Sequence, residues 1–503
     1  MTTDLFHIEE PKLTFGYKQK MIDPRDGITL FGPNSNHKIS GKINIGVIGT
    51  EISRERMISY LQKIHKPVES LDNDKARPMF PGLEAAYGIN INFENIASIN
   101  VPTEDIEEFL HYTDSHQRVH NLTNLFADKI FNYVRREENP VTIWFIVIPK
   151  EIYLYGRPNS RIPSSDENIK IGLKKNERNS QQVSLFFQDE NKKLQEAYKY
   201  QVNFHNQLKA KLLQEKIISQ IIIEDKIAYE EIWDDETKID SEKKFDSAKA
   251  WNISTTLYYK CGGLPWKLGD VRNGVCYLGL VFKRLNEDAN HKNACCAAQM
   301  FLDSGDGMVF RGNVGPWFNP AKNEFHLSKD DAFEIISQSL EAFKDYSGDY
   351  PKEVFIHAKT YFENAEWKGF TDATEGKSKI IGIRIRDDSA FKLHRNFSYC
   401  VPRGSVMSIN SDKAYVWTRG FIPRLQTQLG LEVPNPLSVE ITRGESNIRD
   451  VCKDILALTK LNYNTCSYGD GIPVTLKFAE SIGEILTAGK DVKSSVLPFK
   501  HYI

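Results

Sequence analysis

The chain has 503 residues and a mass of 57.7 kDa, which is more than one hydrophobic core usually serves, so two large domains are expected. Hydrophobic residues make up 40% and charged residues 26%, and these proportions exclude a fibrous or largely disordered protein. The formal net charge of −2 excludes an overall basic field, so any contact with nucleic acid must come from local clusters of basic residues.

The sequence shows neither a membrane-spanning stretch nor a leader. No run approaches the roughly 18 consecutive apolar residues of a membrane helix, and MTTDLFHIEEPKL lacks the basic and apolar regions of a signal peptide. The seven cysteines form no CxxC pair, so reduced and mostly buried thiols are expected. We therefore expect a cytoplasmic protein with no membrane contact.

The first half of the chain alternates predicted strands with predicted helices. Residues 1–40 are rich in turn-forming residues, and the apolar KINIGVIGT (residues 42–50) then predicts a buried strand. A helix-like segment at 52–64, the alternating INFENIASINV, a polar helical stretch at 103–138 and the strand VTIWFIVIP (residues 141–149) follow. This order predicts a parallel α/β sheet.

A helix over about residues 192–216 and the short strand SQIIIED (residues 219–225) are predicted next, before a further helix that runs into CGG. A second α/β series opens at VCYLGLVFKR (residues 275–284), continues through DGMVFRG, EVFIHAK and KIIGIRIRD, and ends in helices. Strands first and helices last is the order of an RNase-H-like domain. We place the domain boundary at GGLPW, which gives an N-terminal segment (1–40), a first domain (41–265) and a second domain (266–503).

Several phosphate-compatible side chains occur in the predicted 192–216 helix and after it. His205 and Lys209 lie four residues apart and so share one helical face. Gln220 precedes an apolar strand, and Lys260 closes a helix for which WNISTT offers the capping groups Asn252, Ser254 and Thr255. A phosphate monoester needs ammonium and N–H donors that converge from different elements. Taken singly, each of these residues is more ordinarily a surface or core residue.

The order HNQLK, SQIII and NISTTLYYKCGGLPWKLG resembles the MID-domain pocket of Argonaute proteins, and the resemblance to short prokaryotic Argonautes covers nearly the whole chain. It implies a guide 5′-phosphate site in which His205 stacks on the first base, Lys209 and Lys260 neutralise the phosphate, and Gln220 donates a hydrogen bond. Lys211 is an accessory candidate. The resemblance further implies Mg²⁺ beside the phosphate, held by the terminal carboxylate of Ile503.

The same resemblance implies an α/β fold in which a Rossmann-like MID domain precedes an RNase-H-like PIWI domain, without the N and PAZ domains of longer Argonautes. The segments VWTRGFIPRLQTQLG, PNPLSVEITRG and GIPVTLKFAESIGE are similar to PIWI domains of this short class. Arg419, Arg424 and Arg443 within them are candidates for nucleic-acid backbone contacts. Each could equally form a structural salt bridge with a neighbouring carboxylate.

The PIWI domain is expected to be catalytically inactive. RNase-H-type cleavage needs Asp and Glu side chains that hold two metal ions about 4 Å apart. The position of the first aspartate, after a hydrophobic-Gly-hydrophobic run, holds Val281 in YLGLVFKR. The second falls at Ala358, followed by Lys359, and the last falls at Lys477 or Phe478. We therefore expect no slicing and assign no catalytic residue.

The resemblance implies a partner protein with an APAZ domain that carries the effector. The start, IEEPKLTFGYKQKMIDPRDGITLFGP, is most similar to Argonautes paired with TIR-APAZ proteins, which load a guide RNA, recognise single-stranded DNA and deplete NAD in prokaryotic defence. Activation is expected to proceed through a higher oligomer of the heterodimer. Three alternatives stay open: a partner with a sirtuin-like NADase or a nuclease, an active guide-directed nuclease, and a generic α/β interaction protein.

Overall fold

The computed structural model describes most of the chain, with gaps at several loops and at both termini. It describes residues 4–34, 39, 42–71, 74–136, 140–173, 194–269, 272, 274–284, 294–301, 307–311, 317–319, 324–489 and 497–502. For residues 283–284, 294–301, 307–311, 317–319 and 429 only the backbone is described.

The strands of the first half, in chain order, are β1 (Asp4–His7), β2 (Leu13–Thr14), β3 (Lys20–Met21), β4 (Lys42–Ile43), β5 (Ile45–Gly49), β6 (Asn90–Ile91), β7 (Ala97–Asn100), β8 (Ile143–Ile148) and β9 (Ser219–Ile223). The helices are α1 (Pro24–Phe31), α2 (Glu51–His65), α3 (Leu83–Tyr87), α4 (Thr103–Leu110), α5 (Ser115–Arg136), α6 (Lys150–Tyr155), α7 (Phe204–Gln214), α8 (Glu224–Ile227), α9 (Tyr229–Ile232), α10 (Glu236–Lys243) and α11 (Asp246–Lys260). A 3₁₀ helix spans Gly16–Lys18.

A parallel sheet in the order β7-β5-β8-β9 forms the centre of the first half. Every residue of β5 and β8 is buried, as expected for a sheet covered by helices on both faces. Only glycine fits at position 46, because a Cβ there would lie 2.3 Å from the Trp144 ring. The predicted α/β arrangement is confirmed, and it leaves the start of β9 beside α7 and α11.

Three predicted helices differ from the structure. The predicted 103–138 stretch is two helices, because a turn near Asp114 interrupts it and the Asp114 carboxylate accepts from the Gln117 N–H. The predicted 192–216 helix breaks before α7, where the Asn203 side chain caps the new helix by accepting from the Asn206 N–H. WNISTT lies inside α11 and does not begin a helix, since α11 begins at Asp246.

The strands of the second half are β10 (Lys267–Leu268), β11 (Val275–Arg284), β12 (Ala294–Phe301), β13 (Gly307–Arg311), β14 (Trp317–Asn319), β15 (Glu324–His326), β16 (Glu353–Ala358), β17 (Lys379–Asp387), β18 (Ser405–Ser408), β19 (Lys413–Val416), β20 (Gly420–Ile422), β21 (Thr427–Leu429), β22 (Leu437–Arg443) and β23 (Leu497–Pro498). The helices are α12 (Lys329–Ser347), α13 (Asn364–Thr374), α14 (Ile448–Leu458) and α15 (Val474–Leu486), with a 3₁₀ helix at Phe499–His501.

A mixed sheet of ten strands organises the second half in the order β1-β18-β19-β22-β17-β16-β11-β12-β13-β23. Strands β11, β16 and β17 are parallel, and the flanking strands are antiparallel. Helices α12 and α13 cover one face, whereas α14 and α15 pack on the other face together with the apolar residues of the first half. The structure has the predicted order of strands followed by helices.

The N-terminal segment packs against the second half. Strand β1 extends the large sheet by pairing with β18, and β2 pairs with β10. The carboxylate of Glu10 accepts from Arg403 at 3.0 Å and from Lys460 at 2.8 Å, both buried, and the two cations lower the pKa of Glu10. No helix among the described residues is both long and apolar enough to span a bilayer.

Candidate nucleic-acid interface

Two lysine ammonium groups meet at one carbonyl oxygen where α7, α11 and β9 come together. The Nζ atoms of Lys209 and Lys260 donate to the Ser219 carbonyl oxygen at 2.6 and 2.7 Å. Lys209 lies on the buried face of α7, and Lys260 is the last residue of α11. Both side chains are almost fully buried, so two charge-bearing groups lie a few ångströms apart inside the protein.

Burial and mutual repulsion disfavour the charged forms of this pair. Burial lowers the pKa of Lys209 to about 7. Burial, and then the charge of Lys209, lower the pKa of Lys260 well below its ordinary value. An anion placed between the two ammonium groups would relieve the repulsion and raise both pKa values. The arrangement is therefore suited to binding an anionic ligand.

The side chains of Gln220 and His205 flank the lysine pair. The Gln220 Oε1 accepts from Lys260 at 2.6 Å, and its amide nitrogen donates to the Ile221 carbonyl at 3.3 Å. Gln220 thus orients Lys260, a contact that the sequence did not predict. The His205 side chain is exposed, and its Nδ1 lies 3.1 Å from the Asn206 Oδ1. Desolvation and then the charge of Lys209 lower the pKa of His205 to about 4. Its ring is neutral at pH 7, which suits stacking.

Two further residues at this site were missed by the sequence analysis. His501 lies within electrostatic range of Lys209, and burial, Lys500 and Lys209 lower its pKa to about 4. Within the described part of the chain, the buried His501 Nδ1 and Ser219 Oγ have no hydrogen-bond partner. No local signal identifies His501, because nearly 300 residues separate it from Lys209. Orphaned buried polar atoms are rare, and here they lie in or beside a cationic site.

The implied Mg²⁺ has no ligand set among the described residues of this site. Ile503, to which the resemblance assigns the metal, lies outside the described residues. Across the described ranges, no group of three or more His, Cys, Asp and Glu side chains could hold a metal ion. The described groups at the site are ammonium, imidazole, amide and hydroxyl, and these match an anion better than a divalent cation.

Lys211 does not join this group, because residues two apart on a helix point in different directions. Its ammonium donates to the Asn124 side chain of α5 and lies 5.2 Å from the centre of the Tyr200 ring. Two of the three predicted capping groups are occupied elsewhere, and the buried Ser254 Oγ has no hydrogen-bond partner in the described part of the chain. Thr255 Oγ1 donates to the Trp251 carbonyl within α11, and the Asn252 side chain accepts from the Cys466 N–H.

The positions expected for catalytic carboxylates lie on two faces of the large sheet. Ala358 aligns with Leu280 and packs with it on the α12 side, whereas Val281 faces the opposite side. Strand β16 ends at Ala358, and the following Lys359 pairs with Glu480 of α15, which lies on the side of Val281. The assignment of the second carboxylate position to Ala358 stays a prediction.

Helix α15 lies over the face of Val281 and takes part in two ion pairs. Lys477 donates to Asp470 at 2.9 Å, and Lys359 pairs with Glu480. Val281 is buried in the core beneath. Each of these carboxylates therefore already has a cationic partner. Lys477 is one of the positions that the sequence assigned to a lost catalytic residue.

The three candidate arginines have different surroundings. Arg424 pairs with Asp26, so the alternative of a structural salt bridge applies to it. Arg443 donates to the Phe362 carbonyl at 3.0 Å and to the Asn364 side chain at 2.6 Å. Arg419 lies against Gly471, where a Cβ would be 1.9 Å from its Nε. Arg419 and Arg443 are half-buried, and Arg424 is exposed.

Comparisons with known proteins identify relatives of this fold. No family model matches the chain. Among curated proteins, an Argonaute of Aquifex aeolicus is 20% identical over 246 residues, which is 47% of this chain and 31% of that protein. The match therefore spans about a third of the curated relative's length.

Solved Argonaute structures align with nearly the whole chain. A Clostridium butyricum Argonaute bound to a guide DNA and a 19-mer target DNA aligns with a TM-score of 0.64 and 16% identity, covering 97% of this chain and 53% of that one. An A. aeolicus Argonaute with externally bound siRNA aligns with a TM-score of 0.54 and 13% identity, covering 99% and 55%. The chain spans about half of each, and it shares the MID-PIWI fold of these Argonaute proteins.

Proposed function

We propose that this chain loads a guide nucleic acid by its 5′ phosphate and recognises a complementary strand through the guide. The observation that carries the proposal is the convergence of the Lys209 and Lys260 ammonium groups on the Ser219 carbonyl, flanked by His205 and Gln220. Base pairing supplies the sequence information, and the protein supplies phosphate contacts and shape recognition. The nucleic acids bound by the C. butyricum and A. aeolicus Argonautes agree with this class of ligand.

We further propose that the chain is the sensor subunit of a prokaryotic defence complex of the short Argonaute type. A guide RNA and a target single-stranded DNA are its nucleic acids, and Mg²⁺ held by Ile503 accompanies the guide phosphate. A partner with an APAZ domain, most similar in kind to the TIR-APAZ NADases, carries the effector and forms a higher oligomer with the chain on activation. The resemblance of the N-terminal sequence supports this partner.

The chain would hold its target without cutting it. Two metal ions need several free carboxylates, whereas Val281 is apolar and buried at the expected first position. Asp470 and Glu480 on the same side of the sheet are paired with Lys477 and Lys359. The alternative of an active guide-directed nuclease requires carboxylates elsewhere in the chain, and a sirtuin-like or nuclease partner is the alternative effector.

Binding of a labelled guide RNA, with and without its 5′ phosphate, tests the central step. The full chain, co-expressed with the product of its neighbouring gene, should bind the phosphorylated guide more tightly. The double variant Lys209→Ala with Lys260→Ala should bind the phosphorylated and unphosphorylated guides with equal affinity. If wild type and double variant bind both guides equally, the guide pocket is wrong and the chain is better described as an α/β interaction protein.

A further inference from the structure

We propose that the loop between β17 and β18 is a stacking platform for single-stranded nucleic acid. The inference deepens the proposed function and rests on it for the identity of the strand. The loop connects the end of β17 at Asp387 to the start of β18 at Ser405, and it carries Arg395, Phe397 and Tyr399 on its exposed part. Long ordered loops without regular structure are commonly functional.

Two aromatic pairs hold the loop, one against the large sheet and the other against the separate two-stranded sheet of β20 and β21. Phe391 stacks on Tyr415 of β19, with ring centres 4.6 Å apart and planes 12° apart. Tyr399 stacks on Phe421 of β20 at 4.1 Å and 16°. The tip between these pairs is therefore held in place while it projects into solvent. A fixed tip binds a ligand with less loss of conformational entropy than a free loop.

The tip presents an aromatic face together with a cation. Phe397 is 71% exposed, and the Arg395 guanidinium lies 5.1 Å from the centre of its ring. Arg395 also donates to the Cys400 carbonyl at 3.4 Å, and in the described part of the chain no carboxylate lies within ion-pair distance of it. An unpaired base can stack on the ring while the guanidinium contacts a phosphate.

The charge of the loop tip favours a nucleic acid. Residues 389–404 contain Lys392, Arg395 and Arg403 and no acid, whereas Asp387 and Asp388 directly precede them. Arg403 pairs with Glu10 of the N-terminal segment, which leaves Lys392 and Arg395 as the cations of the tip. Aromatic rings alternate with these cations along the sequence, as in sites that bind single strands.

The position of the platform also fits a strand that begins at the lysine pair. His501 follows β23 at one edge of the large sheet, whereas β19 lies seven strands away toward the other edge. At about 4.8 Å per strand this separation is about 34 Å. A nucleic-acid strand rises about 3.4 Å per nucleotide, so the platform would meet a strand about ten nucleotides from its 5′ end.

Binding of a 20-nucleotide single strand with a 5′ hydroxyl tests the platform apart from the phosphate site. For the full chain, Phe397→Ala should weaken binding about 5- to 100-fold, the effect of losing one stacked base, and Phe397→Trp should retain it. Phe333→Ala is the matched control, because Phe333 is also exposed but lies on α12. Arg395→Gln should lower the slope of log affinity against log salt by about 0.7.

Strand length separates this inference from the proposed function. With a 5′-phosphorylated strand of six nucleotides, Phe397→Ala should have no effect, because the strand ends before the platform. If the phosphate proves irrelevant but Phe397→Ala still weakens the 20-nucleotide strand, only the guide pocket fails. Unchanged binding in Phe397→Ala, or no binding of the 20-nucleotide strand by the wild type at low salt, overturns the platform.

Discussion

Replacing Lys209 with methionine should stabilise the fold while it weakens binding of the guide 5′ phosphate. The pKa of Lys209 falls from its ordinary 10.5 to about 7, so folding disfavours its ammonium by about 5 kcal/mol. An apolar side chain of similar length avoids this cost and still fills the site. We expect the free energy of unfolding at pH 7 to rise by about 1–4 kcal/mol, measured by chemical denaturation.

The sign of the pH dependence follows from the lowered pKa. Between pH 7 and 10.5 the unfolded chain binds more protons at Lys209 than the folded chain does. The stability of the wild type therefore rises with pH in this window relative to the variant. The advantage of Lys209→Met should be largest at pH 7 and small near pH 10.

Binding should change in the opposite sense. Loss of one charged hydrogen bond to the phosphate should weaken the phosphorylated guide about 10- to 100-fold. In the wild type, affinity should fall by up to tenfold per pH unit above 7, because Lys209 must take up a proton to bind the phosphate. Below about pH 6 the phosphate loses its second charge and binding should weaken again.

Lys211→Met is the matched control, since Lys211 lies on the same helix but donates to Asn124. The Lys211→Met variant should bind the 5′-phosphorylated guide more tightly than the 5′-hydroxyl guide by the same factor as the wild type does. A guide with a 5′ hydroxyl should show no such pH dependence in either protein. The reasoning is refuted if Lys209→Met discriminates the two guides as well as the wild type does, or if the wild-type preference is flat from pH 6 to 9.

Three further predictions concern the second half of the chain. Val281→Asp places a carboxylate in a buried position, so it should destabilise the fold by about 1–3 kcal/mol and yield no Mn²⁺-dependent cleavage in a gel assay. Arg403→Met leaves Glu10 with Lys460 alone and should lower the free energy of unfolding by about 3–5 kcal/mol in a urea titration. Gly279→Ala brings a Cβ within 1.9 Å of the Thr475 carbonyl oxygen, so α15 must shift, and a drop of at least about 1–3 kcal/mol is expected by the same titration; wild-type stability would disprove the close packing.

The sequence predicts best those elements whose pattern is local. The apolar run at Ile143–Ile148 is a buried strand because every side chain faces a helix layer. The break before Phe204 was missed, because its cause is a cap at Asn203 and not a change in composition. WNISTT was misassigned since Ser and Thr also occur within helices, where Thr255 bonds the carbonyl four residues earlier.

The candidate site was predicted as far as a single segment or a family resemblance reaches. His205 and Lys209 share a helix face by spacing alone. His501 and the cluster of Glu10 with Arg403 and Lys460 depend on contacts across hundreds of residues, for which the sequence has no periodic signal. That Ala358 and Val281 lie on opposite faces of the sheet could not be predicted, because only the strand register tells which face a side chain occupies.

Retention of an uncut target by the guide-loaded chain tests the account most directly. The full chain with its partner would be loaded with a phosphorylated guide and incubated with a labelled complementary single-stranded DNA and Mn²⁺. The account predicts that the DNA stays bound and full-length, and that a non-complementary DNA is not retained. A metal-dependent cleavage product, or retention that ignores the guide sequence, would contradict it.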